Sequence, residues 1–241
     1  MVTPPFVWVL AVVASAAVVA TVPYMLTAIE FRQRDNGLAY IMFVLGIGVW
    51  NGMVVSQLLT PRPLIKGFFF SLAIVGSLIA GLGWFLFACT ASSTPIIPNQ
   101  RIVYGSIAVL VGLDITIAVT APAHTVFWVL RPDLTGPAGF AVVSPRIGYW
   151  LHTVLTAGLF AWGASLFAQV WRSNTSVRYS RAYVVVGMLM TVSIFVSNLL
   201  APGGLSASPI MAWALASIGW IQARRGRVFS FLRGAVGLGR V

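Results

Sequence analysis

The sequence predicts an all-α, polytopic membrane protein: a seven-transmembrane-helix bundle with its N-terminus outside and its C-terminus in the cytoplasm. Three observations carry this expectation. The 241-residue chain is 59% hydrophobic and only 8% charged, with a mean hydropathy of +0.94. Its apolar residues fall into seven long runs, each close to the roughly 20 residues of helix that cross a hydrocarbon core. The runs lack the period-two alternation of barrel strands, and a bilayer admits only helices or closed barrels.

The runs are Phe6–Ile29, Leu38–Leu59, Ile65–Cys89, Ile102–Pro122, Ile147–Trp171, Arg181–Ala201 and Leu205–Ala223. Met1 to Pro5 lack the basic residues of a signal peptide, so the first run reads as a membrane helix. Turn chemistry separates the runs: Arg34-Asp35-Asn36-Gly37, Thr60-Pro61-Arg62-Pro63, Ser92 to Pro98, and Ala201-Pro202-Gly203-Gly204. The longest connection is Ala123–Arg146, rich in proline and glycine and without a helix signal, which suits a lid. Residues 1–223 thus form the predicted transmembrane domain and residues 224–241 a basic cytoplasmic tail. Small residues mark expected helix contacts, Gly48-xxx-Gly52 on the second helix and Gly76, Gly81 and Gly83 on the third. No tandem repeat is visible.

Orientation follows from the basic residues. Arg32, Arg34, Arg101, Arg172, Arg178, Arg181, Arg224, Arg225, Arg227, Arg233 and Arg240 fall on one side, and Arg62, Lys66, Arg131 and Arg146 on the other. The positive-inside rule makes the first side cytoplasmic and the Ala123–Arg146 loop external. The net charge of +11 therefore belongs to helix orientation and anionic headgroups, with no nucleic-acid partner predicted. Cys89 is the single cysteine, so an intrachain disulfide is impossible.

Residues 114 to 152 hold both histidines and two of the four acids. Asp114, about twelve residues into the fourth run, is expected near the bilayer centre, where an ionisable group is costly. No basic partner is expected at its depth, so a neutral carboxyl bonded to Asn51 of the second helix is the predicted arrangement. His124 leaves the fourth helix and His152 enters the fifth, both near the outer interface. Phe127, Trp128, Tyr149 and Trp150 flank them, as an interfacial aromatic belt or as walls of a ligand pocket. Tyr149 and His152 share a helix face, with Thr153 and Thr156 the next pair around. The expected site is an outward cavity between helices four and five. His152, Trp150, Tyr149, His124, Trp128, Asp114 and Asn51 are its candidate ligand-binding residues, and Thr125, Asp133 or water would bond the His152 imidazole. Such a histidine would make a response pH-dependent between about pH 5 and 8.

Several functions are disfavoured. Two histidines without a carboxylate or thiolate cluster predict no metal or haem, and no cofactor is expected. There is no P-loop, dinucleotide-binding turn, catalytic triad or zinc helix, so no enzyme activity is predicted. A microbial-rhodopsin Schiff base needs a lysine on the seventh helix, whereas Lys66 opens the third.

A different family fits more closely. Its features run in order from Phe31-Arg32-Gln33-Arg34, through Trp50 and Gly83-Trp84-Phe85-Leu86-Phe87-Ala88, to Pro122-Ala123-His124-Thr125-Val126-Phe127-Trp128. Tyr149-Trp150-Leu151-His152, Pro202, Ser208-Pro209 and Arg224-Arg225-Gly226-Arg227-Val228-Phe229 follow. Over nearly its full length the chain resembles the N-terminal seven-transmembrane-helix sensor region of prokaryotic histidine kinases. One departure is Cys89-Thr90-Ala91-Ser92, where the family usually has a tyrosine-containing segment. The resemblance implies a sensor or receptor input domain in the cytoplasmic membrane of a prokaryote, binding a small or membrane-soluble ligand, a lipid included, near the outer face. These 241 residues contain no phosphoacceptor helix or ATP-binding domain, so the expectation is output through a partner, such as a separate cytoplasmic signalling protein, or through a missing portion. A non-catalytic structural subunit of a membrane complex is the alternative, and a transporter ranks third for want of inverted-repeat broken helices. The bilayer is the expected surrounding, and a homo-oligomer is compatible with the sequence.

Overall fold

The computed structural model describes residues 5–30, 37–92, 100–135, 141–173, 180–200 and 208–235. Seven helices account for most of them: α1 (Pro5–Glu30), α2 (Gly37–Leu59), α3 (Pro63–Ser92), α4 (Gln100–Val119), α5 (Ile147–Arg172), α6 (Ser180–Leu200) and α7 (Ser208–Ala235). Five are long and apolar enough to cross a membrane. The remaining two contain the shorter apolar stretches Gly105–Val119 and Pro209–Ile221. Arg32, Arg34, Arg178 and Arg240, and the turn residues 93–98 and 201–204, lie outside the described residues.

Helix α3 is the hub. It packs against α2, α4 and α5; α5 continues to α6, α6 to α7, and α7 returns to α1 and α2. Burial agrees: 67% of the α3 span is buried, against 28% of α6. The α2–α3 contact is close because glycines remove the side chains that would hold the helices apart. A Cβ on Gly83 would stand 2.3 Å from the Phe43 backbone nitrogen, one on Gly76 2.7 Å from that of Trp50, and one on Gly46 2.3 Å from that of Ala80. Gly76 and Gly83 match the sequence expectation, and Gly46 is the partner it missed. Gly48 and Gly52 face α1 instead, at ordinary contact distance from Thr21 and Val18, while Gly81 meets Phe160 and Leu159 of α5.

Trp84 fills the middle of the bundle. It is fully buried, its indole N–H donates to the Phe160 carbonyl at 3.1 Å, and the Phe43, Phe87, Phe167 and Tyr183 rings surround it. Gly163 of α5 leaves the space that the indole occupies: a Cβ there would lie 2.3 Å from Trp84 Nε1.

Two boundaries differ from expectation. Helix α7 continues beyond Ala223 to Ala235, because nothing in Arg224–Ala235 but Gly226 and Gly234 opposes helix. The connection after α4 is structured: a short 3-10 turn at Ala121–Ala123, a bend through Phe127, and an antiparallel hairpin of β1 (Trp128–Thr135) and β2 (Ala141–Pro145). The apolar stretches Trp128-Val129-Leu130 and Ala141-Val142-Val143, split by Gly136-Pro137, suit a hairpin better than a structureless lid. Trp128 and Leu130 lie against Gly67 at the start of α3, and Trp128 meets the Phe70 ring edge-on. Phe70, Ile74, Ala118, Phe127, Trp128, Val143 and Tyr149 thereby form a second apolar cluster at one end of the bundle.

Candidate functional site

Beneath this cluster lies the most polar point of the bundle. Asp114 and His152 each stand just over a turn from a helix end, because α4 stops at Val119 and α5 starts at Ile147. A rise of 1.5 Å per residue sets both about 7.5 Å deep. The inward stripe of α4, Val111, Asp114 and Ala118, then brings the carboxylate to the imidazole. His152 Nδ1 is 2.5 Å from Asp114 Oδ2. On its other side His152 Nε2 lies 3.1 Å from Ser77 Oγ of α3 and 3.3 Å from Thr156 Oγ1. His152 and Asp114 are 4% and 9% exposed, so water screens this pair weakly.

The hydrogen bonds support one arrangement of the protons. Ser77 donates its one hydroxyl proton to the Ile74 carbonyl at 2.7 Å, so its oxygen accepts from His152 Nε2–H. Thr156 offers the same N–H a second acceptor. The Nδ1–Oδ2 bond then holds one further proton. On oxygen it gives two neutral groups; on nitrogen it gives a compensated ion pair. Either way the net charge is zero, the arrangement a low-dielectric interior favours.

Phe127 closes the site. It is fully buried and its ring lies 5.8 Å from the imidazole, centroid to centroid. The backbone around it is tied to α5: Gly148 N–H donates to the Val126 carbonyl at 3.1 Å, and Arg146 N–H to the Phe127 carbonyl at 3.0 Å. A Cβ on Gly148 would come within 3.0 Å of the Phe127 ring. One turn before His152, Tyr149 O–H donates to Asn198 Oδ1 at 2.7 Å, and Asn198 Nδ2 donates to Thr153 Oγ1 at 3.1 Å. This chain joins α5 to α6.

The sequence-predicted residues separate into three places. Asp114 and His152 come together, and Tyr149, one turn before His152, packs edge-on against Phe127 and Trp150. His124 and Trp128 line a groove of about 200 Å³ with Leu64, Ala121, Thr125, Val129 and Leu130, and His152 is absent from its lining. His124 itself closes a local turn: its Nδ1 accepts from Val126 N–H at 3.3 Å. Thr120 Oγ1, whose proton goes to the Thr116 carbonyl, accepts from His124 Nε2 at 3.0 Å. Asn51 is elsewhere. It donates to the Ile47 and Pro209 carbonyls, both at 3.1 Å, and so joins α2 to α7.

Three expectations are thereby corrected. The partner of Asp114 is His152, because α4 ends earlier than its apolar run and the two residues share a depth. Asn51 faces α7, whose Pro209 carbonyl it reaches. His152 takes its bonds from Asp114, Ser77 and Thr156, which flank its ring from three helices, while Thr125 lines a groove whose lining lacks His152. Ser77 and Asn198 were not predicted. Both are polar residues inside apolar helices, the one signal by which they could have been found. Among the described residues no three His, Cys, Asp or Glu side chains converge.

Residues 8–232 match the family model for the N-terminal 7TM region of histidine kinase. No curated protein and no solved structure matches the chain.

Proposed function

We propose that this chain, which belongs to the family of N-terminal 7TM regions of histidine kinases, is a membrane sensor input domain that detects a small or membrane-soluble ligand near the outer face and signals through its cytoplasmic end. The match over residues 8–232 is the observation that carries this reading. The proposed topology has seven crossings, an external N-terminus and a cytoplasmic C-terminus in the plasma membrane of a prokaryote. The basic residues support it: Arg172, Arg181 and Arg224 fall at the ends assigned to the cytoplasm.

Two features suit signal transfer. Asp114–His152–Ser77 links three helices through one imidazole, so a ligand that moves α4 also moves α3 and α5. Helix α7 runs without interruption from Pro209, bonded to Asn51 of α2, to Ala235. A shift at its start is delivered to its basic end, for which a cytoplasmic signalling module is the proposed receiver. The chain has no proposed catalytic role of its own.

Affinity purification from native membranes, with mass spectrometry of proteins and small molecules, tests the reading. Recovery of a kinase or response regulator supports it. Recovery of constitutive membrane-complex subunits, with no signalling protein, replaces it with a structural-subunit role.

A further inference from the structure

Helix α4 is the outlier of the bundle. Among its described residues Val111, Asp114 and Ala118 are buried, with Ile107, Ile115 and Ile117 partly buried, while Gly105 and Gly112 have nothing within 4 Å of a built Cβ and Val109, Leu110 and Leu113 are exposed. Its side-chain hydrogen bonds to its own helix, such as Thr116 to the Gly112 carbonyl, do not tie it to its neighbours. The Asp114–His152 bond does.

We propose that the Asp114–His152 pair is a proton-binding site that latches α4 to α5, and that uptake of a second proton releases the latch. The proton inventory supplies the argument. In the arrangement described above, with Nε2–H donating to Ser77, one proton lies between Nδ1 and Oδ2 and the net charge is zero. A second proton leaves an imidazolium beside a neutral carboxylic acid. The bond loses its charge complementarity, and a net positive charge is left in an apolar site, where it is costly. That cost falls when α4 moves aside and admits water. Loss of the resting proton has a different result. Nε2–H can move its proton to Nδ1, and the Ser77 or Thr156 hydroxyl can turn to donate to the freed Nε2, so the bond to the carboxylate survives. Loss of a proton thus leaves a net negative charge but keeps a charge-assisted N–H to carboxylate bond, whereas a second proton weakens the bond itself, so it is acid that opens the latch.

Among the described residues no other ionisable group is bonded to the pair. Helix α3 presents Ser77 to the ring, the bend presents Phe127, and α5 presents Thr156. Tyr149 is a turn away with its hydroxyl committed to Asn198. His124 is held in its own turn, and Lys66 stands about three turns along α3 from Ser77.

This proposal takes its purpose from the sensor reading but is tested apart from it. The full chain, with Cys89→Ala, Leu113→Cys and Val154→Cys, is spin-labelled, reconstituted in liposomes and examined by pulsed electron resonance across acid and neutral pH. Residues 113 and 154 are exposed positions on α4 and α5. The expected result is a separation that broadens and lengthens by about 2 Å, the scale of a helix shift, as pH falls. Asp114→Asn and His152→Gln should abolish the response. An acid-independent distance, or a response that survives both substitutions, overturns the latch. Should the variants not fold, nitrogen-15 histidine resonances of the otherwise unsubstituted chain decide. His152 must pass from a shared-proton to a fully protonated signature in the same pH range as the distance change, and its absence overturns the proposal. A positive pH response without any signalling partner in native membranes would keep the latch and remove the sensor reading; the reverse outcome would do the opposite.

Discussion

His152 Nδ1 and Asp114 Oδ2 are 2.5 Å apart, and this bond joins two helices that are separated in sequence by a hairpin. Asp114→Asn should be tolerated better than Asp114→Leu. An asparagine amide can still offer Nδ1 a donor or its proton an acceptor. Leucine leaves the buried imidazole unpaired there, at a cost of about 1–3 kcal/mol. Unfolding in detergent should rank the variants wild type, Asn, Leu in falling stability; Leu at or above Asn would contradict the bond's importance.

Glycine substitutions should divide by position. Gly83→Ala puts a methyl 2.3 Å from the Phe43 backbone, which cannot turn aside as a side chain would. Overpacking of this kind costs about 1–3 kcal/mol. Gly105→Ala and Gly112→Ala meet nothing within 4 Å and should be neutral, or stabilising by up to about 1 kcal/mol through helix propensity. Thermal melts of the three variants check the contrast.

Trp84→Phe should destabilise the bundle even though both residues are aromatic. The change removes the N–H to Phe160 bond and leaves a void facing Gly163. The bond contributes about 0.5–1.5 kcal/mol and the void adds to it. The double change with Gly163→Ala should recover part of the loss, because the added methyl occupies space that the indole vacates. Additivity of the two single effects would contradict that account.

Topology is checked by thiol labelling. In a Cys89→Ala background, an impermeant reagent on intact cells should label cysteine at position 135 and spare cysteine at position 227. The opposite pattern would invert the orientation and with it the external placement of the hairpin.

Apolar run length and basic-residue distribution are properties of the chain itself, and they were enough to outline the seven helices to within a few residues at most ends. Hydrocarbon solvation selects them segment by segment, without reference to neighbours. The close approach at Gly76 and Gly83 was visible for a related reason, since a missing Cβ is a local fact. Which partner fills the space is not local: Gly46 met α3 while Gly48 and Gly52 turned toward α1, a matter of where each helix face points once the bundle closes.

The polar site shows the same division. That Asp114 and His152 stood out could be read from the residues, because ionisable groups are few in so apolar a chain. Their pairing, and the assignment of Asn51 to α7, depended on where α4 stops and how α3 is surrounded. The three-residue difference between the apolar run ending at Pro122 and the helix ending at Val119 moved the carboxylate to the level of the imidazole. Ser77 entered for a tertiary reason as well, as the hydroxyl α3 presents at that level. Composition thus determined which groups must find partners in the membrane, and the packing of α3, α4 and α5 decided which partners they found, because a hydrogen bond requires its atoms within about 3 Å while sequence specifies only distance along the chain.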